Sequence, residues 1–259
     1  MYQYRISELW CGKHERKIYG LAFVPKAEGK VPLVIFAHEL ANTHKSGIAY
    51  AQELASRGVA VYTFDFPGGS PASKSDGVTT EMSVMTEAAD LETVLAEASA
   101  WDFVDREKVV LMGGSQGGAV AACTAARRSD GIAGLILLYP AFCIPDVMHH
   151  EFGFPEHIPD QFDLRGWIMV GKKYALDIWD YDFYAQMHCF FGPVLILHGD
   201  QDPLVALPYA TRATECYPNA ELQVLRRAGH GFYDEYFVQA MDYILVYLRR
   251  LGFLNDKDC

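Results

Sequence analysis

Short aliphatic runs alternating with longer amphipathic stretches predict an α/β protein with a mainly parallel central sheet flanked by helices. Two further observations support that class. The middle runs are almost wholly apolar, as strands buried on both faces are, whereas half-exposed antiparallel strands would alternate. The chain has 259 residues, 51% hydrophobic and 21% charged, which suits a large globular core and excludes disorder and fibrous repeats.

The first two segments, around residues 4–10 and over 17–24, flank Cys-Gly-Lys-His-Glu-Arg and predict an antiparallel opening ribbon. Strands are expected next at 31–37, 59–65, 109–112, 132–138, 194–198 and 222–225. Helical spacing falls between them at 48–57, 80–100, 117–127, 208–217 and 234–251. In the last helix Phe237, Met241, Ile244, Leu245 and Leu248 recur at steps of three and four, forming one buried stripe. Residues 143–191 break the rhythm, with no clear strand and a dense aromatic set from Phe152 to Phe191. A structureless loop of that length is uncommon in a compact domain, so 143–191 is expected to be a small inserted cap. It would lie over the carboxyl ends of the strands and divide a core of 1–142 and 192–259.

With 33 acidic against 22 basic side chains, the net charge of −11 argues against nucleic-acid and membrane surfaces, both of which are anionic. The N-terminus lacks a basic stretch leading into an apolar run, and no apolar run reaches the roughly 20 residues that span a bilayer, so a cytoplasmic protein is expected. Cys11, Cys123, Cys143, Cys189, Cys216 and Cys259 show no metal-like spacing and are expected as free thiols. His149, His150, His157 and His188 likewise lack ligand spacing, so neither a metal nor another cofactor is expected.

The chemistry is concentrated in Val109-Val-Leu-Met-Gly-Gly-Ser-Gln-Gly-Gly, where Gly113-x-Ser115-x-Gly117 follows an apolar strand and opens a small-residue helix. Such a turn is crowded, and glycines two positions either side let strand and helix approach while the serine hydroxyl projects. The backbone N–H of Gln116 is then aimed at the same point, as an oxyanion donor. A serine needs a base and an orienting acid, expected in that chain order as acid and then histidine, in loops after later strands. After 194–198 comes His198-Gly-Asp-Gln-Asp202, and after 222–225 comes Arg226-Arg-Ala-Gly-His230. Asp200 and Asp202 compete for the acid; Asp202 is preferred because a helix begins shortly after it, while Asp200 sits nearer the strand end and would brace the turn. The second oxyanion donor is expected from the loop His38-Glu39-Leu40, at the Leu40 N–H, with His38 bracing that loop.

With these residues assembled, the chain resembles the α/β-hydrolase superfamily, and within it the bacterial cinnamoyl (feruloyl) esterases. The resemblance is carried by the opening ribbon, the His38 loop, Asp65-Phe-Pro-Gly, Ser75-Asp-Gly with Glu81-Met, the elbow, Gly192-Pro-Val-Leu-Ile-Leu-His-Gly-Asp-Gln-Asp and Ala228-Gly-His-Gly-Phe. It implies Ser115, Asp202 and His230 as a triad, Leu40 and Gln116 as oxyanion donors, and a capped serine carboxylesterase acting on hydroxycinnamate or short-chain esters. It also implies that Tyr174 meets the substrate from the cap; Asp146 is the second polar cap residue singled out for substrate contact. Two departures stand out. Glu39 replaces the glycine usual after that histidine and must point away or be paired, since a carboxylate aimed at the oxyanion would oppose its charge. The turn from Pro67 to Ser75 is also longer than expected. The expected partner is a small-molecule ester, with a homodimer allowed. The same triad also serves thioesters, peptides and acyl transfer. A non-catalytic ligand-binding module, which usually lacks a triad member, is the reading from another class.

Overall fold

The computed structural model describes residues 1–12 and 16–254. Its framework is an eight-stranded sheet in the order β1-β2-β4-β3-β5-β6-β9-β10. β1 (Tyr4–Cys11) and β2 (Ile18–Pro25) form the antiparallel opening ribbon, and β2 also runs antiparallel to β4 (Ala60–Phe64). From β4 onward β3 (Val31–Ala37), β5 (Val104–Gly114), β6 (Gly134–Leu138), β9 (Val194–Gly199) and β10 (Ala220–Leu225) are all parallel. The middle of the expected ribbon connection, residues 13–15, and Cys259 lie outside the described residues. The other five cysteines are free thiols.

Period-two alternation distributes each strand's side chains between two cores. Leu33, Ile35 and Ala37 belong to the core on one face, which also takes in buried residues of α2 (Val84–Ala98), α3 (Gln116–Arg127) and α7 (Leu207–Cys216). Val34 and Phe36 belong to the core on the other, which also takes in buried residues of α1 (Ile48–Ala55) and α8 (Asp234–Arg250). The α8 stripe is buried at Met241, Ile244 and Leu248, with Phe237 and Leu245 packed at its margin.

Element ends differ from the sequence expectation for local reasons. The helix expected over 80–100 starts at Val84, because Ser83 and Thr86 exchange hydrogen bonds in a capping box. β5 begins five residues before its expected start, since the polar stretch Asp105–Lys108 hides a strand that still joins β3 across a register shift. β10 begins two residues early, its partly exposed Glu221 and Gln223 being tolerated at the sheet edge.

Between β6 and β9 the chain forms α4 (Ile144–Phe152), a hairpin of β7 (Gln161–Leu164) and β8 (Ile168–Gly171), α5 (Lys172–Leu176) and α6 (Phe183–Met187). The expectation of no strand in 143–191 is therefore corrected. These strands have only four residues each, too short to show a period, and their turn is made by Arg165 (φ 59°) and Gly166 (φ 73°). The segment is anchored to the core. Thr79 Oγ1 donates to the Met169 carbonyl at 2.6 Å, and Ser83 Oγ donates to Asp177 Oδ2 at 2.6 Å. A Cβ on Gly171 would lie 2.1 Å from the Thr80 carbonyl oxygen, so only glycine allows this approach. Among the described residues no helix is long and apolar enough to cross a membrane.

Candidate active site

Ser115 stands at the carboxyl end of β5, where the strand turns into α3. Its backbone (φ 51°, ψ −118°) lies where L-residues are strained, so the surrounding packing must hold it. That packing is backbone against backbone. A Cβ on Gly113 would approach the Gly117 carbonyl oxygen to 2.3 Å, and one on Gly117 would approach the Ala37 carbonyl oxygen to 2.2 Å. The two glycines of the motif thus let α3 sit against both β5 and the end of β3.

His230 reaches Ser115 from a distance. Its loop follows β10, three strands and about 14 Å across the sheet from β5 at ordinary strand spacing. The loop must fold back over the ends of β9 and β6, and several contacts steer it. Gln201 N–H donates to the Ala228 carbonyl at 3.0 Å, and Gly199 has no room for a Cβ beside that same oxygen. Asp200 Oδ1 accepts from the Arg227 N–H at 2.5 Å, while Arg227 itself takes φ 66°. Asp200 thus braces this return and does not face the imidazole. The His230 ring then rests edge-on against Tyr139, with centroids 4.8 Å apart.

The result is a continuous line of hydrogen bonds. Asp202 Oδ2 is 2.7 Å from His230 Nδ1, and His230 Nε2 is 2.9 Å from Ser115 Oγ. An ionised carboxylate accepts the Nδ1 proton, leaving the Nε2 lone pair to accept from the serine hydroxyl. The other oxygen of Asp202 accepts the Leu204 and Val205 N–H groups at 2.8 and 2.9 Å. Burial alone would push this carboxyl up, but the His230 bond and the two backbone donors outweigh it and hold the group below its ordinary value. His198 packs behind, its Nε2 2.8 Å from the Val205 carbonyl and 3.4 Å from Asp202, and burial pushes its pKa down.

Leu40 and Gln116 line the same pocket as Ser115 and His230. The Gln116 N–H belongs to the first turn of α3, which has no intrahelical acceptor. Among the described residues the Leu40 N–H has no backbone acceptor either. His38 fixes the Leu40 loop as expected, with Nδ1 2.7 Å from the Glu39 carbonyl and Nε2 accepting the Phe66 N–H at 3.0 Å. Glu39 is paired: Tyr139 donates its hydroxyl to Oε1 at 3.0 Å, and Asn42 donates to Oε2 at 3.3 Å.

The pocket is mostly apolar, walled by Ile144, Val147, Met148, Leu164, Trp167 and Leu204. Tyr174 lies on its wall, buried, with its hydroxyl donated to Gln116 Oε1 at 2.7 Å. Gln116 in turn donates through Nε2 to Glu87 Oε2 at 2.8 Å, and burial raises the Glu87 carboxyl to about 8. Asp146 is not brought to this pocket; it lines an adjoining groove and accepts the Tyr209 hydroxyl at 2.7 Å. Glu87, Tyr139 and Arg165 were not identified from sequence. Glu87 had a signal, since it falls at helical spacing from Val84 and Leu91 and so occupies a buried face. Nothing local marks the other two. Among the described residues no group of three or more His, Cys, Asp or Glu side chains gathers as metal ligands.

Sheet order and serine elbow together define an α/β-hydrolase, and the chain belongs to the family of hydrolases described as serine aminopeptidase, S33, whose model matches residues 30–162. Two solved structures of Est1E from Butyrivibrio proteoclasticus are similar over nearly their whole length. The one with ferulic acid bound is 25% identical with a TM-score of 0.84, covering 94% of this chain and 99% of that one. The other is 23% identical with a TM-score of 0.82, covering 95% and 99%. An esterase from Exiguobacterium antarcticum shares the fold at 18% identity and a TM-score of 0.71, covering 94% and 100%. No curated protein sequence matches the chain.

Proposed function

We propose that the protein is a serine ester hydrolase with Ser115 as nucleophile, His230 as general base and acid, and Asp202 as the acid that orients it. The observation that carries this reading is the unbroken Asp202–His230–Ser115 hydrogen-bond line. His230 Nε2 takes the Ser115 proton as Oγ bonds to the ester carbonyl carbon, and the resulting oxyanion accepts the Leu40 and Gln116 N–H groups. Collapse breaks the bond to the alcohol, which leaves with the proton held by His230. Water then attacks the acyl-enzyme with His230 again as base, releasing the acid and restoring Ser115. Asp202 stays ionised and stabilises each imidazolium.

Acyl groups of hydroxycinnamate type are the first substrate class and short-chain acyl groups the second. The ferulic acid in the Est1E structure and the apolar pocket with Trp167 and Tyr174 support the first. Tyr174 donates its proton to Gln116, so its oxygen keeps an acceptor site for a phenolic O–H. The family description raises peptide hydrolysis as a second reading. An aminopeptidase must hold a free α-ammonium, yet the described residues lining the pocket include no carboxylate and one guanidinium, Arg165. The test is a kinetic panel of methyl hydroxycinnamates, acetyl and butyryl esters and aminoacyl anilides. Ester turnover without anilide turnover supports the proposal. Preference for aliphatic esters moves the substrate class to short-chain acyl groups, and faster anilide cleavage overturns the ester reading.

A further inference from the structure

Arg165 projects from the cap hairpin at the boundary between the Ser115 pocket and the groove that contains Asp146, and it lines both. Its charge reaches the pocket interior, where it acts to lower the pKa of both Cys143 and Tyr174 against the larger upward effect of burial. The groove beyond it also carries the carboxylates of Asp146, Glu151 and Asp163. Among the described residues, however, Arg165 makes no ion pair or hydrogen bond, and its neighbour is the Trp167 ring, 6.0 Å from its centroid. Its backbone adds to the case. At φ 59° a residue with a Cβ is disfavoured, and turns of this hand favour asparagine or glycine. An arginine is therefore held in an unfavourable backbone conformation beside a nucleophile, with its five donors uncommitted.

We infer that Arg165 is a subsite for a negative charge on the substrate, so that the preferred ester carries a carboxylate or similar anion. The inference rests on the ester-hydrolase reading and narrows its substrate class. A guanidinium binds a carboxylate through two parallel N–H bonds. The anion can reside on the acyl side or on the alcohol side of the scissile bond, and the two arms of the test separate these sources.

In the acyl arm, p-nitrophenyl hydrogen glutarate is compared with neutral p-nitrophenyl pentanoate. In the alcohol arm, 4-(butyryloxy)benzoate is compared with its methyl ester. The wild type is expected to favour the anionic member of one pair in kcat/KM by about tenfold or more, and Arg165→Gln to reduce that ratio by about 10- to 100-fold, the value of a charge-assisted hydrogen-bond pair. Arg165→Lys should keep part of the ratio and Arg165→Glu should reverse it. Because the readout is a ratio within one protein, a general loss of folding or activity does not imitate it. Equal use of both members in both pairs, or a ratio unchanged in Arg165→Gln and Arg165→Glu, overturns the inference while neutral-ester turnover preserves the ester reading. Absence of turnover on every ester defeats that reading, and this inference with it.

Discussion

The sheet half of the site and the cap half are built by different means. Ser115, Asp202 and His230 stand at the carboxyl ends of β5, β9 and β10, and their positions follow from backbone contacts that only particular residues allow. The cap wall from Ile144 to Tyr174 consists of short elements whose buried side chains, among them Met148, Ile168, Val170 and Tyr174, join the core on one face of the sheet, with the close approach of Gly171 to Thr80 as a further tie. The proposed reading assigns the chemistry to the first half and the selectivity to the second. Changes in the first half should lower kcat, whereas changes in the second should redistribute KM among substrates.

The largest effect is expected from the triad. Ser115→Ala and Asp202→Asn should each reduce kcat/KM on the best ester by about a thousandfold or more, measured by steady-state hydrolysis. Gly117→Ala comes next. Its Cβ would meet the Ala37 and His38 carbonyl oxygens at 2.2 and 2.5 Å, displacing α3 from the oxyanion loop. A loss of about 1–3 kcal/mol in urea unfolding, with a fall in kcat exceeding any rise in KM, is the expected result.

Glu87 tests the junction of the two halves. An acid whose folded pKa is raised makes the folded state bind protons more tightly, so stability declines as pH rises from its ordinary value of 4.5 towards about 8. Glu87→Gln keeps the shape and can still accept from Gln116 while removing the titration. Its stability relative to wild type should rise across that window, by on the order of 3 kcal/mol at pH 7, in denaturant midpoints measured at several pH values. A difference that stays flat with pH would mean that Glu87 does not titrate as described. Asp202 has the opposite sign: the stability it gives is present above its unfolded value and lost as pH falls through the depressed folded one.

How much of this was legible in the sequence follows the same division. Gly113, Ser115 and Gly117 are readable because a steric rule permits few residues there, and Asp202 and His230 because each follows a strand in a fixed order. The core strands declared themselves by unbroken apolar runs. The β7–β8 hairpin did not, since four-residue strands carry too little pattern, and Arg165 sits at a turn position where the local rule favours other residues. Tyr139 and Glu87 acquire their partners through contacts distant in sequence, and Arg165 its place at the pocket through the fold of the cap. Asp146 shows the converse: it was singled out with Tyr174 as a polar cap residue, yet its helix directs it to the groove shared with Tyr209.

Smaller effects sharpen the division. Tyr174→Phe removes the hydroxyl that Gln116 Oε1 accepts, leaving a buried acceptor unpaired at a cost of about 1–3 kcal/mol in stability. It should change KM for hydroxycinnamates more than for butyryl esters. The least change is expected from Asp200→Asn, which retains an oxygen for the Arg227 N–H and should leave turnover within about threefold, since surface substitutions of this kind shift free energy by little. If Asp200→Asn proved as damaging as Asp202→Asn, the assignment of the acid would be wrong.

The central claim is that Ser115 is an activated nucleophile because His230 and Asp202 converge on it. The most direct measurement is intact-mass and peptide mass spectrometry after brief exposure of the native protein to a fluorophosphonate. One adduct per chain on Ser115, lost in Ser115→Ala and strongly slowed in His230→Ala, is the predicted result. A well-folded native protein that stays unlabelled, or that carries the adduct on another residue, would contradict it.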